Sequence, residues 1–337
     1  MTGPAILLDH GSGGEKSDTL IEESILPHII NPHLAVLNDG ASVSIGEHRL
    51  AISTDSYVVD PIFFPGGSIG HLAVHGTVND VSMCGARPLY LSCALIMEEG
   101  FPVHDLERIM ADMGAAAKKA GVAIITGDTK VVPRGACDKI FINTTGIGIT
   151  PEGTAPSADK AKPGDAIILS GTIGDHGLAI LSSREGLTFQ SEIKSDTAPL
   201  NQMVSDIIAI CPEIHVLRDP TRGGVATVLN EVAGASGVHI TIDEAQLPIW
   251  PDVAALGELL GLDPLYTANE GKLLAWVPRE KAEAVLAAIQ NSPYGKEAAI
   301  IGEVTSTTDH PHVTLTTLTG GKRRVPRLTG DQLPRIC

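Results

Sequence analysis

The sequence predicts an α/β (α+β) protein of two similar-sized domains ending in a mobile tail. Three observations lead there. A chain of 337 residues is long for one hydrophobic core, and 43% apolar residues can fill more than one. Strand-like apolar runs alternate with helix-periodic segments through most of its length. The Pro-, Gly-, Ala- and Lys-rich stretch PEGTAPSADKAKPGD, 151–165, interrupts that alternation near the middle and reads as a linker.

In chain order, DHGSGGEKSDTL is a glycine loop entering a helix, and 1–37 forms this N-terminal segment. LAVLND and RLAISTDSYVVD read as strands, each running into an aspartate-bearing loop, and FFPGGS as a turn. A helix is expected from about Ser68 to Cys84, and another from Val103 to Lys119, with Val103, Leu106, Ile109, Met110 and Met113 on one side and Gly121 as its stop. VAIITGDTK is a strand leading into a polar loop, and DKIFINTTGIGIT closes a first domain over 38–150. The second domain, 160–320, restarts with the strand DAIILSG. Its helices are expected near 199–211, 224–235 and 279–290, and its strands at 238–243, 272–277, 298–305 and 312–318. From 321 to 337 the chain is basic, contains proline and loses periodicity, so it is read as the mobile tail.

Composition narrows function. The formal net charge of -16 and the 3% aromatic content disfavour a nucleic-acid or acidic-membrane role. The N-terminus lacks a basic, then apolar, secretory signal, and no run reaches membrane-spanning length, so a cytoplasmic protein is expected. The cysteines, Cys84, Cys93, Cys137, Cys211 and Cys337, form no CxxC pair, and an odd, scattered set suits reduced thiols. Cys337 is the last residue. Either it is an accident of a frayed end, or it rides a tether because it must travel.

Acids recur where strands end: Asp39 after LAVLN, Asp55 after LAIST, Asp128 after VAIITG and Asp219 after IHVLR. Such positions gather at one end of a sheet, where ligands bind. Clustered carboxylates repel unless a cation intervenes, and all-oxygen ligands favour Mg²⁺ or Ca²⁺. Singly, each acid is also what a turn or cap uses. On the 68–84 helix, His71, His75, Asn79 and Ser82 form a polar stripe, whereas Asp80 falls within the apolar face. A carboxylate there is either paired with a basic group or bound to a cation. HGSGGEKS fails the Walker A pattern because Glu15 precedes Lys16, and GTIGDHG is not G-x-G-x-x-G.

The stretches HGSGG, TDSYVVDPIFFPGGSIGHLAVHGTVNDVSMCGARPLYLS, EEGFP, TGDTKVV, INTTGIG, SGTIGDHG, RDPTRGGVATVLNE, ANEGKL and PRIC resemble the HypE family of hydrogenase maturation factors along nearly the whole chain. That family is related to aminoimidazole ribonucleotide synthetase and selenophosphate synthetase. The resemblance implies their two-domain fold, each domain a mixed sheet flanked by helices. It also implies an ATP- and Mg²⁺-dependent dehydration of a carbamoyl group on the terminal cysteine to a thiocyanate, which supplies cyanide to nickel–iron hydrogenase. Implied partners are the carbamoyltransferase HypF, the HypC–HypD complex and a second copy of the chain. Many relatives carry two acids where this chain has Asn38-Asp39.

By the same resemblance, Cys337 is the carrier and Glu270 the base. Lys130 steadies substrate oxygen or phosphate. Asp39, Asp55, Asp80 and Asp219 hold metal around the triphosphate, and Asp39 and Asp55 also belong to the nucleotide site. Gly127, Asp128 and Thr129 contact nucleotide or metal, and the loop of Gly11, Ser12, Gly13 and Gly14 covers it through backbone N–H groups. Glu270 could instead pair with Lys272. Arg335 is expected to offset the terminal carboxylate, which disfavours the thiolate, and so to speed loading of Cys337. Two other readings are a synthetase acting on a free small substrate and a non-catalytic maturation scaffold.

Overall fold

The structure, a computed structural model, describes residues 5–184, 193–330 and 335–337. The N-terminal segment carries α1 (Glu15–Leu20) and α2 (Leu26–Ile29). The first domain follows with β1 (Ala41–Ile45), β2 (His48–Tyr57), the short hairpin β3 (Phe63–Phe64) and β4 (Gly67–Ser68), α3 (Ile69–Met83), β5 (Arg87–Glu98), α4 (Val103–Ala120), β6 (Ala123–Val132) and β7 (Ile140–Ile149). The five-stranded sheet runs β1-β2-β7-β5-β6, antiparallel except for the parallel β5–β6 edge.

The second domain contains β8 (Ala166–Leu169), α5 (Asp175–Arg184), α6 (Asn201–Ile210), β9 (Val216–Arg218), α7 (Gly224–Ser236), β10 (Val238–Asp243), α8 (Pro251–Leu260), β11 (Leu274–Val277), α9 (Ala282–Asn291), β12 (Ala299–Thr307), β13 (His312–Thr316) and β14 (Lys322–Val325). Its seven-stranded sheet runs β14-β13-β10-β12-β8-β11-β9. The four inner residues of β8 and of β11 are all buried, so these central strands are covered on both faces. No helix among the described residues is long and apolar enough to cross a membrane.

Several elements depart from the sequence expectations. LAVLND is not a strand. A 3-10 turn at Pro32–Leu34 is followed by irregular chain, because Asn38 spends its amide on the linker: it donates to Ser157 Oγ (3.2 Å) and accepts from Ala158 N (2.9 Å). Asp55 lies within β2, opposite Thr144, because β7 pairs with β2 as far as Tyr57. GDTK is also strand: the β5–β6 ladder continues to Glu98–Val132. β5 and α8 were not anticipated. Nor does the chain lose structure after Gly320, since β14 pairs with β13 from Val313–Val325 to Thr316–Lys322.

α3 is the axis of the molecule. It packs on the inner face of the first sheet, and Gly76 permits the closest approach: a Cβ there would overlap the Tyr57 hydroxyl. Of the polar stripe, His75 and Asn79 are buried against the second domain. His75 Nδ1 lies 3.1 Å from Thr197 Oγ1, and Asn79 donates to the carbonyls of Ala198 (3.0 Å) and Glu270 (3.3 Å) while accepting from Leu200 N (2.8 Å). Polar groups on this face therefore fix how the domains meet. Removing the Asn79 amide strands several buried backbone groups, each worth about 1–3 kcal/mol. Asn79→Ala is expected to lower the thermal midpoint by several degrees and to loosen the domains, read as new proteolytic cleavage within 150–165. An unchanged midpoint and cleavage pattern would rule this out.

Candidate functional site

The acids sit where the two domains meet. Asp39 precedes β1, Asp55 is in β2, Asp80 is in the last turn of α3, Asp219 follows β9, and Glu270 lies in the irregular run before β11. The Ser53 hydroxyl is 2.7 Å from Asp80 Oδ2 and 2.8 Å from the Asp39 carbonyl oxygen, tying β2 to both acids. Asp39 pairs with Arg218 (2.9 Å), which also holds Glu231 (2.7 Å).

Burial pushes the Asp39 carboxyl up to about 6 against the opposing pull of Arg218. Burial also raises Asp80 and Asp219 well above the carboxylate range, and repulsion adds to it, from Asp219, Asp39 and Asp55 on Asp80 and from Asp39 and Asp55 on Asp219. Glu270 is raised likewise by burial, then by Asp55, Asp219 and Asp196. The structure thus brings together Asp39, Asp55, Asp80, Asp219 and Glu270. Asp39 Oδ2 and Glu270 Oε1 are buried without a hydrogen-bond partner. The alternative pairing of Glu270 with Lys272 does not form: Lys272 binds Asp196 (2.8 Å) and approaches Asp175 (3.9 Å).

No group of three or more His, Cys, Asp or Glu among the described residues converges as a ready-made metal cage. Instead, carboxylates near enough to repel one another leave Asp39 Oδ2 and Glu270 Oε1 without partners. That donor set fits Mg²⁺, which keeps several waters and is usually held by one or two carboxylates together with substrate phosphates.

The chain end docks beside this cluster. Val58 N–H donates to a terminal carboxylate oxygen of Cys337 (2.9 Å), and Asp60 N–H to the Arg335 carbonyl (3.3 Å). Arg184 also donates to the Arg335 carbonyl, and His176 Nε2 to that of Ile336 (2.8 Å). Because a carbonyl only accepts, His176 carries its proton on Nε2, leaving Nδ1 to accept from Ser195 Oγ (2.8 Å). Ile336 is 4% exposed within the core of the first domain. Arg335 donates to the Val58 carbonyl (2.9 Å) and pairs with Asp138. Its guanidinium therefore anchors the tail, correcting the expectation that it serves the terminal carboxylate. Burial raises the Cys337 thiol far above its ordinary range. Arg222 opposes that rise, while Glu270, Asp55 and Asp80 add to it.

Gly127, Asp128, Thr129 and Lys130 are not brought to the cluster within one chain. They lie on β6, the sheet's edge strand, where Lys130 pairs with Asp128 (2.8 Å) at 66% and 62% side-chain exposure. The glycine loop does reach the site. Arg222 Nη1 donates to Gly11 O (3.2 Å), and Gly13 has φ 75°, where a Cβ would come within 3.0 Å of Arg222. In this conformation the loop's N–H groups are spent internally: Ser12 on Asp9 O (3.3 Å), Gly13 on Ser17 Oγ (2.9 Å) and Gly14 on Ser12 Oγ (3.4 Å). A cavity of about 600 Å³ opens beside it, lined among others by Gly13, Asn38, Arg218, Arg222 and Arg327.

Arg222 and His176 escaped the sequence reading. Arg222 had a signal: Gly223 and Gly224 follow it, both at positive φ (75° and 63°), and turn the chain sharply into α7. His176, inside GTIGDHG, had none, because its partner Ile336 lies at the other end of the chain.

Residues 37–150 match the N-terminal domain model of AIR synthase related proteins, and 162–313 match the C-terminal domain model. Carbamoyl dehydratase HypE of Cupriavidus necator is 52% identical over 331 residues, covering 98% of this chain and 94% of its own. The crystal structure of a HypE–HypF complex superposes with a TM-score of 0.87 at 50% identity, covering 92% of this chain and 99% of that one. The hydrogenase maturation protein HypE in complex with ATP superposes at 0.84 with 55% identity, covering 99% and 100%. A ThiL complexed with AMPPCP and TMP, at 21% identity and a TM-score of 0.69, shares the fold. Over nearly its full length, then, the chain belongs to the HypE family, on the two-domain AIR synthase fold.

Proposed function

We propose that this chain is an ATP-dependent carbamoyl dehydratase that converts an S-carboxamide on Cys337 to a thiocyanate, the source of cyanide for the iron of nickel–iron hydrogenase. The observation that carries this reading is the terminal cysteine docked among Arg222, Glu270 and the buried aspartates. A synthetase for a free substrate would keep that space clear of its own chain end.

The docked tail holds the carboxamide in place by its backbone carbonyls, while Ile336 excludes water. Dehydration requires the carboxamide oxygen to become a leaving group, which transfer of the ATP γ-phosphoryl group accomplishes, and requires removal of the N–H protons. Glu270, buried and with Oε1 unpartnered, is the base. Asp39, Asp55, Asp80 and Asp219 would hold Mg²⁺, whose chemistry is to neutralise charge on the phosphates. Gly11, Ser12, Gly13 and Gly14 close over the nucleotide once their N–H groups turn from their internal partners.

Half-buried and largely protonated, the docked thiol is a poor nucleophile. It is therefore loaded elsewhere, on a HypF-type carbamoyltransferase, and later unloads to a HypC–HypD-type complex. The five-stranded sheet exposes Tyr90, Ile96, Ile125, Val131 and Ile147, an apolar surface suited to a second copy of the chain. Such a homodimer would place Gly127, Asp128, Thr129 and Lys130 at the shared interface, available to the partner's nucleotide. Five unpaired cysteines suit a reducing compartment, the cytoplasm.

Intact mass tests the central reading. The chain incubated with HypF, carbamoyl phosphate and ATP should gain one carbamoyl group. The isolated loaded chain should then lose one water only with Mg-ATP. Cys337→Ala should do neither, and loading without water loss would reduce the chain to a carrier.

Tail docking and loading compete for the same thiol. Arg335→Ala removes a charge-assisted, half-exposed anchor of the docked state, worth about 1 kcal/mol. Loading by HypF should quicken by up to about fivefold while dehydration slows. Two rates falling together would disprove the competition.

The acids also set a pH dependence. Their folded-state pKa values lie above the unfolded ones, so their stabilisation is complete below the ordinary carboxylate value of 3.8 and is lost as pH rises, through about 6 for Asp39 and higher for Asp80 and Asp219. Mg²⁺ at a hundredfold excess over its dissociation constant adds about 2.7 kcal/mol. Its effect on the thermal midpoint should amount to several degrees at pH 8 and shrink towards pH 5. Asp80→Asn should raise the midpoint without Mg²⁺ and abolish the Mg²⁺ response. A Mg²⁺ shift independent of pH would exclude the cluster as the binding site.

A further inference from the structure

Glu270 is gripped by its main chain. Its N–H donates to Asp196 Oδ1 (3.0 Å) and its carbonyl accepts from the Asn79 amide (3.3 Å), while its own Oε1 stays without a partner. The other oxygen of Asp196 accepts from Lys272 Nζ (2.8 Å). The side chains of Asp196 and Lys272 are closed off from water, at 4% and 9% exposure. Gly271 lets the two segments touch, because a Cβ there would overlap the Asp196 carbonyl oxygen. Burial would raise the Asp196 carboxyl, but Lys272 and the two hydrogen bonds outweigh it and hold it below the ordinary carboxylate range.

The neighbours of Asp196 in the chain hold the docked tail and the domain seam. Ser195 Oγ donates to His176 Nδ1 (2.8 Å), and His176 Nε2 donates to the Ile336 carbonyl (2.8 Å). Ser195 Oγ also accepts from Thr197 N–H (3.2 Å). Thr197 Oγ1 lies 3.1 Å from His75 Nδ1, and the Ala198 carbonyl accepts from the same Asn79 amide that holds Glu270 (3.0 Å). The run 195–198 is therefore hydrogen-bonded at one end of its reach to the residue beside the carrier cysteine, and at the other to the main chain of Glu270.

We infer that Asp196 is a positioning residue of the dehydration: it sets Glu270 at the carboxamide nitrogen, from the same run of chain that holds the loaded tail through Ser195 and His176. The inference rests on the dehydratase reading, with Glu270 as its base. In that reaction the carboxamide oxygen attacks the γ-phosphorus, the bond from γ-phosphorus to the bridging oxygen breaks, and ADP leaves. Glu270 accepts one N–H proton as the C=N bond forms. The C–O bond then breaks, the remaining N–H proton passes to the departing phosphate, and its electron pair completes C≡N. Base and nitrogen come from segments far apart in sequence, so their alignment needs a frame common to both. A misplacement of about 1 Å costs on the order of 100-fold in rate. An ionised carboxylate suits the task, since it accepts from the Glu270 N–H and from Lys272 at once.

The test uses the full chain, loaded with a carbamoyl group and isolated, in single turnover with saturating Mg-ATP, reading water loss by mass and phosphate release. Asp196→Ala should slow dehydration by about 100-fold, with ATP affinity and the rate of loading by HypF each within about threefold of the parent. Asp196→Asn keeps the shape but turns an amide N–H₂ against either the Glu270 N–H or the Lys272 ammonium, and should be slowed at least about tenfold. It carries the test if the alanine variant does not fold. Combination with Glu270→Gln separates positioning from general loosening. A residue that acts through Glu270 then has no base left to aim, so the double variant should dehydrate within about threefold of Glu270→Gln alone. Equal slowing by the Asp196 substitution in the parent and in the Glu270→Gln background would mark a merely structural role and overturn the inference. So would dehydration within about threefold of the parent in either Asp196 variant, or a Glu270→Gln chain as fast as the parent. A parent chain that loads but never loses water would instead sink the dehydratase reading itself.

Discussion

The structure depends on keeping mutually repelling carboxylates together in one place, Asp219 and Glu270 buried and the others partly so. Asp39, Asp55, Asp80, Asp219 and Glu270 come from both domains, and α3 carries Asp80 into their midst. Left alone, such a cluster favours opening of the domain interface. The fold counters it with neutral hydrogen bonds on the same helix, at His75 and Asn79, and with arginines at the margin. The surplus of negative charge that remains is what a divalent cation beside a nucleotide would neutralise under the proposed function. It is stored by packing around it, since the acids gain nothing from one another.

The docked tail answers the same constraint from the other side. A neutral, buried thiol adds no further negative charge to an acidic site, and the high pKa of Cys337 follows from the same carboxylates that crowd each other. The tail is gripped mostly through backbone carbonyls, by Val58, Asp60, His176 and Arg184. Such bonds are blind to the cargo on sulfur, so they hold a loaded and an unloaded cysteine alike. Ile336 supplies the apolar anchor. The grip spans both domains, which places the thiol at the seam where the acids meet.

The glycine loop and Arg222 connect these two parts. The loop is stitched to the chain near the tail's root, Glu15 N–H donating to Leu328 O (2.9 Å), and to the site through Arg222. Segments from the two ends of the sequence are thereby neighbours at one mouth.

By itself the sequence determined the two-domain α/β character, most helices and second-domain strands, the acids as a set and the terminal cysteine as the residue to watch, because these rest on local periodicity, composition and uninterrupted motifs. Helix α3 was legible nearly to its ends, and Gly121 as its successor's stop, since both follow from spacing and backbone freedom. What only the tertiary structure decided was where each polar group finds its partner. His75 and Asn79 read only as a polar stripe because a wheel cannot show a second domain. GDTK read as a loop because ladder pairing with β5 is non-local. Arg335 read as a counter-charge for the terminus, whereas Asp138, almost two hundred positions away, claims it. Arg222 and His176 passed unnoticed for the same physical reason: hydrogen bonds and charge pairs depend on distances in space that sequence separation does not encode.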